Sequence, residues 1–357
     1  MQFRSILVRA TNWVGDAVMS VPALQALREQ FPTARISILA RPWVASLYSR
    51  EPFCDELIPY EAPRGWRGTG VKWSAASDLR QRGFDCAILF QNAFEAAALA
   101  ALARIPIRIG YSRDIRAWLL THPIPIPKPG ETPPHQRFYY LEMLKRAGLI
   151  ESYPLDQPIR LTGADAAAQA GHSLLRRAGF PGSVIGVCPG AAYGGAKRWL
   201  PERFAQAGVQ LARERGASVV IFGSKDEAPI GEAVRSLIET AGLPCLDFTG
   251  KTSLQEFINL AAACDLFLTN DSGPMHIASA LGIPTVAIFG ATDQRATGPT
   301  GPHSTVVRVA VECSPCLLRE CPIDHRCMTG VSAARVAEAA VHLVGIENWT
   351  REAKSSR

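Results

Sequence analysis

Short apolar, β-branched runs alternate with helical patterns along almost the whole chain, and few folds accept that rhythm. Runs at residues 5–10, 35–40, 86–90 and 107–110 read as strands in the first half, separated by helical patterns at 18–30, 73–81 and 94–103. The second half repeats it, with strands expected at 184–188, 218–222, 245–248, 266–269 and 285–289. Helices are expected between them near 202–213, 228–241, 254–262 and 275–280. Alternation of this kind predicts parallel, doubly wound α/β domains. A length of 357 residues favours two of them. Proline and glycine punctuation over 151–183 sets the expected boundary, with one domain over 1–165 and a second over 166–357. No internal sequence repeat marks a duplication. The proline-crowded stretch 123–134 reads as an extended surface loop, and a last helix over 333–344 is a candidate to pack back across the domains.

In open α/β sheets, ligands sit beyond the carboxyl ends of the strands, so the loops after strands hold the candidate site. Asn270-Asp271-Ser272-Gly273-Pro274-Met275-His276 follows an apolar strand and opens a helix. Such a turn leaves backbone N–H groups at the positive end of a helix dipole, a seat for phosphate. The segment from Cys188 to Trp199 repeats the logic with glycines, Lys197 and Arg198. Two such turns in one domain suggest a diphosphate, and a nucleotide-sugar is the obvious ligand. Lys197 reads either as a phosphate contact or as a solvated loop lysine. Asp226 and Glu227, one loop beyond a strand, suit ribose hydroxyls, though they also suit a helix start. Thr249, Gly250 and Lys251 could line the base, and His276 could reach a phosphate or stay internal to its helix. The Gly250-Lys251-Thr252 triplet is not a P-loop, because the earlier glycine of that motif is missing.

In the first domain, Thr11 to Ala17 follows the first strand with one glycine, against the three of a dinucleotide fingerprint. That disfavours a nicotinamide or flavin. It leaves Asp16 either as a helix N-cap or as a general base facing an interdomain cleft.

Composition narrows the class. An apolar fraction of 47% with 20% charged residues is globular, and the net charge of +6 suits anionic ligands or an anionic membrane surface. No Lys/Arg run is long enough to argue for nucleic acid. The amino terminus lacks a signal peptide's apolar core, and the alanine-rich segment 93–103 carries Glu95 and is too short to span a bilayer. A cytoplasmic protein is expected, with peripheral membrane contact open. Its nine cysteines should then be reduced. Four of them, Cys313, Cys316, Cys321 and Cys327, fall within fifteen residues, with His325 beside them. They could hold a structural Zn²⁺ through four thiolates or through three and the histidine, although only the first pair has a standard zinc gap. An iron–sulfur cluster is less supported, and reduced loop thiols are the plain alternative.

Taken in order, the segments Asn12 to Ser20, Cys188 to Trp199, Phe222-Gly223-Ser224 and Asn270 to His276 resemble the ADP-heptose:lipopolysaccharide heptosyltransferases. The Trp-Val-Gly-Asp form of the first segment is most similar to the heptosyltransferase II type. The resemblance runs from Ile6 to about Gly290 and implies a GT-B glycosyltransferase, with two Rossmann-like domains facing across a cleft and no cofactor needed for catalysis. It implies ADP-heptose as donor, heptosylated Kdo-lipid A at the inner-membrane surface as acceptor, and inversion at the anomeric carbon. By matching motifs, Asp16 is the expected catalytic base. Lys197, Asp271, Ser272, Gly273 and His276 are the expected diphosphate contacts, and Asp226 or Glu227 the ribose carboxylate. Acceptor contacts are expected from Asn12, Trp13, Gln91, Asn92 and Arg113, with Arg108 and Arg116 nearby. The cysteine cluster has no counterpart in that pattern. Two rivals remain open at this point, a nucleotide-sugar epimerase and a non-catalytic nucleotide-sugar sensor.

Overall fold

The computed structural model describes residues 2–63 and 65–345, with Trp66 described by its backbone alone. The chain divides between Gln157 and Pro158 into two compact units. Each is built on a six-stranded sheet in which every pairing is parallel. The architecture is the GT-B pairing of Rossmann-like α/β units.

Unit 1 contains β1 (Ser5–Arg9), β2 (Arg35–Ala40), β3 (Glu56–Pro59), β4 (Cys86–Leu89), β5 (Ile107–Tyr111) and β6 (His122–Ile124). Their order is β3-β2-β1-β4-β5-β6. The central strands β1 and β4 are buried at every residue, as their unbroken apolar runs require. Leu7, Leu39 and Leu89 pack there with Ala97, Leu99 and Ile105.

Unit 2 contains β7 (Val184–Cys188), β8 (Ser218–Ile221), β9 (Cys245–Asp247), β10 (Leu266–Asn270), β11 (Thr285–Ile288) and β12 (Ser304–Val307). The order β12-β11-β10-β7-β8-β9 is the same 3-2-1-4-5-6 topology as unit 1, although no sequence repeat announces it. Each unit therefore has one point where strand order reverses, between β1 and β4 and between β7 and β10. The helix Ala333–Val344 starts at Ser332, whose hydroxyl accepts from the Arg335 N–H at 3.2 Å. It buries Val336, Ala337 and Ala340 against Phe204, Leu211 and Val307 of its own unit.

Four local departures from the sequence reading have physical causes. The helix expected over 18–30 is two, Val14–Met19 and Val21–Gln30, because Pro22 cannot donate to the carbonyl one turn back. Asp16 therefore lies in the first turn of a separate short helix whose N-cap is Trp13, and is not itself the cap. The loop expected from Pro123 begins as the edge strand β6, where a proline lacking N–H is tolerated. The stretch 151–183, expected to hold the domain boundary, contains the helix Ala164–Arg177, packed on the helix Leu254–Ala262. Any side chain at Gly171 would stand 1.9 Å from the Asn259 carbonyl oxygen, so the close crossing depends on that glycine.

Candidate active site

At the reversal point of unit 2, the loops after β7 and β10 are tied together by side chains that sequence spacing separates widely. Asn270, fully buried at the end of β10, accepts from the Trp199 N–H at 3.0 Å and donates to the Pro189 and Gly190 carbonyls at 2.7 and 3.2 Å. Lys197 Nζ donates to Asp271 Oδ2 at 2.6 Å, and Thr292 Oγ1 donates to the same oxygen at 2.5 Å. The Lys197–Asp271 pair is largely buried, so losing either partner would strand a charge at a cost of about 3–5 kcal/mol. Ser272 caps the helix Gly273–Ala280 without a side-chain bond to it. The Gly273 and Met275 N–H groups, Pro274 having none, thus lie at the positive end of the helix dipole. His276 lies one turn inside and is buried.

Glu227 forms the floor of the neighbouring loop. Its Oε2 accepts from the Ser224 N–H at 2.7 Å and hydroxyl at 2.9 Å. A Cβ on Gly190 would stand 2.2 Å from the Glu227 carboxyl, so the backbone of the loop after β7 lies directly on it. Asp226, by contrast, is exposed. The three residues expected around a base behave differently from one another. Thr249 is buried, with its methyl toward Gly223 and its hydroxyl toward Gly231, so it does not line an open surface. Lys251 turns back to donate to the Asp247 carbonyl at 2.8 Å. Gly250, at φ +70°, donates to the Gly223 carbonyl at 2.9 Å, and its α-carbon approaches Lys225 so closely that a Cβ would stand 2.8 Å from the Lys225 Cα. Of the three, only Gly250 offers bare backbone there.

At the reversal point of unit 1, two buried arginines hold the loops. Arg9, the last residue of β1, donates to the Ala10 and Leu39 carbonyls at 3.1 and 3.0 Å and to Asn12 Oδ1 at 3.2 Å. Arg116, fully buried, donates to the Tyr111 carbonyl at 3.0 Å, to the Gln91 carbonyl, and to Asn92 Oδ1 at 2.9 Å. Burial pulls both guanidiniums down to about 10, still well above neutral pH. Asn92 in turn donates to the Tyr139 hydroxyl at 3.0 Å. Arg116 is therefore not available to an acceptor anion, and Arg108 is likewise spent on the Leu119 and Ile105 carbonyls at 2.7 and 2.6 Å. Arg113 remains exposed, 3.6 Å from Asp114. Asp16 is half-buried, and its charge helps push the buried Tyr140 and Tyr48 phenols up, a smaller contribution than their burial. Trp13 is 65% exposed and Trp118 72% exposed, the latter against Phe94 at 6.2 Å between rings.

The four clustered cysteines line one cavity of about 70 Å³ in unit 2, together with His325. All are free thiols, and burial with the neighbouring Cys313, Cys316 and Cys321 raises that of Cys327. Among the described residues, no three His, Cys, Asp or Glu side chains are grouped tightly enough to hold a metal ion as they stand. His325 Nε2 lies 3.0 Å from the Ala196 carbonyl and so donates to it.

The family model for glycosyltransferase family 9 (heptosyltransferase) matches residues 72–326. The chain belongs to that family. It is a glycosyltransferase, and its activity is that of a heptosyltransferase. It is 33% identical over 309 residues to lipopolysaccharide heptosyltransferase 2 of Salmonella typhimurium, covering 85% of this chain and 88% of that one. Against the corresponding protein of Escherichia coli the identity is 32%, with the same coverage. The solved structure of E. coli ADP-heptose lipopolysaccharide heptosyltransferase II superposes with a TM-score of 0.80 at 28% identity, over 96% of this chain and 98% of that one. A family 9 glycosyltransferase from Veillonella parvula gives a TM-score of 0.79 at 23% identity, over 96% and 97% of the two chains.

Sequence reasoning missed several residues that shape these loops in the enzyme. Arg9 reads as an ordinary strand residue, and only the fold reveals its burial. Thr292 follows a strand that was expected, but a lone threonine carries no signal until Asp271 is seen beside it. Arg116 was visible as a charge, and its intervening turn is strained, with Asp114 and Ile115 both at positive φ.

Proposed function

We propose that this enzyme moves L-glycero-D-manno-heptose from ADP-heptose to the first heptose of the lipopolysaccharide inner core, carried on Kdo-lipid A. The observation that carries the reading is the Lys197–Asp271–Thr292 cluster beside a helix start that no side chain bonds as a cap, at the strand-reversal point where a diphosphate would sit. Asp16 beyond β1 is the matching carboxylate of unit 1.

In this reading an acceptor hydroxyl attacks the anomeric carbon as Asp16 takes its proton. The bond from that carbon to the β-phosphate oxygen breaks, and ADP leaves with the electron pair. Attack opposite the leaving group inverts the anomeric centre. Lys197 and the Gly273 N–H meet the charge that grows on ADP, with Ser272 and His276 lining the same turn. Glu227, buried under Gly190, is the ribose partner preferred over the exposed Asp226. Asn12, Trp13, Gln91, Asn92 and Arg113 meet the acceptor sugar and its anionic groups.

The transfer needs no cofactor. A zinc ion on the four clustered cysteines would be structural. Among the described residues no helix is long and apolar enough to cross a membrane. We place the enzyme in the cytoplasm, with transient contact at the inner-membrane face through exposed Trp13, Trp118 and Ile115 and the net charge of +6.

The test is a transfer assay with ADP-heptose and two lipid acceptors, Kdo-lipid A with and without one heptose, read by mass spectrometry. A gain of one heptose on the heptosylated lipid alone is expected. Gain on the unheptosylated lipid alone would overturn the acceptor, and no gain on either, with ADP bound, would overturn the lipid acceptor class.

A further inference from the structure

Arg9 and Arg116 are spent on unit 1's own loops, but a third arginine at the same end of the sheet is not. Arg41 is the first residue after β2, between Arg9 at the end of β1 and Tyr60 just past β3 in strand order. Pro42 holds it extended, at φ −61° and ψ 143°, so its backbone is fixed before any ligand arrives. Its guanidinium carbon lies 5.6 Å from the centre of the Trp43 ring and 5.9 Å from that of Tyr60. Arg9 lies over the same Tyr60 ring at 5.4 Å. Two arginines thus crowd one ring, and burial, followed by the charge of Arg41, pulls the Arg9 guanidinium down. Like charges held this close call for a counter-charge.

The neighbouring carboxylate does not supply it. Glu95, on the helix after β4, accepts from the Tyr60 hydroxyl at 3.0 Å through Oε1, and its Oε2 lies 3.0 Å from Lys72 Nζ. Burial pushes the Glu95 carboxyl up, yet those two bonds and the charges of Lys72 and Arg41 together hold it below the usual carboxylate range. Glu95 is therefore ionised and already matched by Lys72, which leaves Arg41 in excess. Among the described residues no carboxylate lies within ion-pairing distance of Arg41, and its buried Nε has no hydrogen-bond partner. Folded proteins pair nearly all such donors, and one left over at the mouth of a sheet points to a ligand. The residue as a whole is only half-buried, so a solute can reach it.

We propose that Arg41 anchors an anionic group, a carboxylate or a phosphate, carried by a sugar of the acceptor, with a sugar ring resting against Trp43. The planar fork of a guanidinium matches either oxyanion with two parallel hydrogen bonds. Trp43 is exposed and offers an apolar face to the C–H side of a sugar. Its Nε1 donates to the Asn12 carbonyl at 3.2 Å, which ties the anion site to the loop leading to Asp16. A neutral sugar gains the indole but not the charge, so the site selects acidic sugars. The inference deepens the acceptor reading and rests on it for which sugar arrives, while the anion chemistry rests on Arg41.

Ligand-observed NMR titrations of the full chain with mannose, mannose 6-phosphate and Kdo compare a neutral sugar with a phosphate and a carboxylate. At least one acidic sugar should bind about tenfold or more tighter than mannose, and the tighter of the two identifies the group. Arg41→Gln should lose that preference while ADP affinity stays at the parent value, which also reports an intact fold. Arg41→Lys keeps the charge without the fork and should recover only part of the preference. Equal affinity for the three sugars, or no binding of either acidic one, would overturn the site. An undiminished preference in Arg41→Gln would overturn the role of Arg41. No titration uses heptose transfer, so an Arg41-dependent preference in protein that transfers no heptose to the lipid would condemn the acceptor reading alone.

Discussion

The two units share a strand order and differ in how they hold the loops at its reversal point. In unit 1 the loops rest on buried cations: Arg9 and Arg116 donate to backbone carbonyls and to the side-chain amide oxygens of Asn12 and Asn92. In unit 2 they rest on a buried amide, Asn270, and on glycines that let backbone approach backbone. Positive charge is thus locked beneath the first set of loops and concentrated within the second. A surface of amides and a half-buried carboxylate suits hydroxyl groups. A lysine beside a helix start without a side-chain cap bond suits a diphosphate. One topology hosts two chemistries because the strand-end loops, and not the sheet, set the charge.

The largest effect should come from breaking the unit 2 pair. Lys197→Met should destabilise the fold by about 3–5 kcal/mol through the stranded Asp271 and weaken ADP binding by about 10–100-fold. Adding Asp271→Asn should return most of the stability but not the affinity, which urea unfolding and ADP titration would separate. If the double variant regained ADP affinity, Lys197 would be only a partner of Asp271.

A smaller loss is expected from Arg116→Met, about 2–4 kcal/mol, because it leaves buried carbonyls unpaired. Its KM for the lipid acceptor should rise while ADP affinity holds, and a fall in ADP affinity would blur the division between the units. The smallest effects sharpen the ribose assignment. Glu227→Gln should weaken ADP binding by about tenfold, whereas Asp226→Asn, on an exposed residue, should stay within about 0.5 kcal/mol of the parent. The reverse ranking would give the ribose to Asp226.

The interior strands were legible in the sequence because burial on both faces demands unbroken apolar runs, as in Val184–Cys188. The missing strands were β3, β6 and β12, all at sheet edges, where pairing on one side tolerates Glu56, His122, Pro123 and Ser304. At the site, the loops after strands were legible by position and by glycine content. Which charges in them are free was not, because that depends on partners distant in the chain. Arg116 was expected near the acceptor and Lys251 along the base, and both are spent on carbonyls, while Asn270, expected only to open the turn, holds two loops together.

In the proposed transfer, unit 1 supplies the base and unit 2 holds the donor. Single-turnover transfer and ADP affinity measured together on Asp16→Asn test it most directly. A rate lower by about two to four orders of magnitude is expected, with ADP affinity unchanged. Turnover near the parent rate would contradict it.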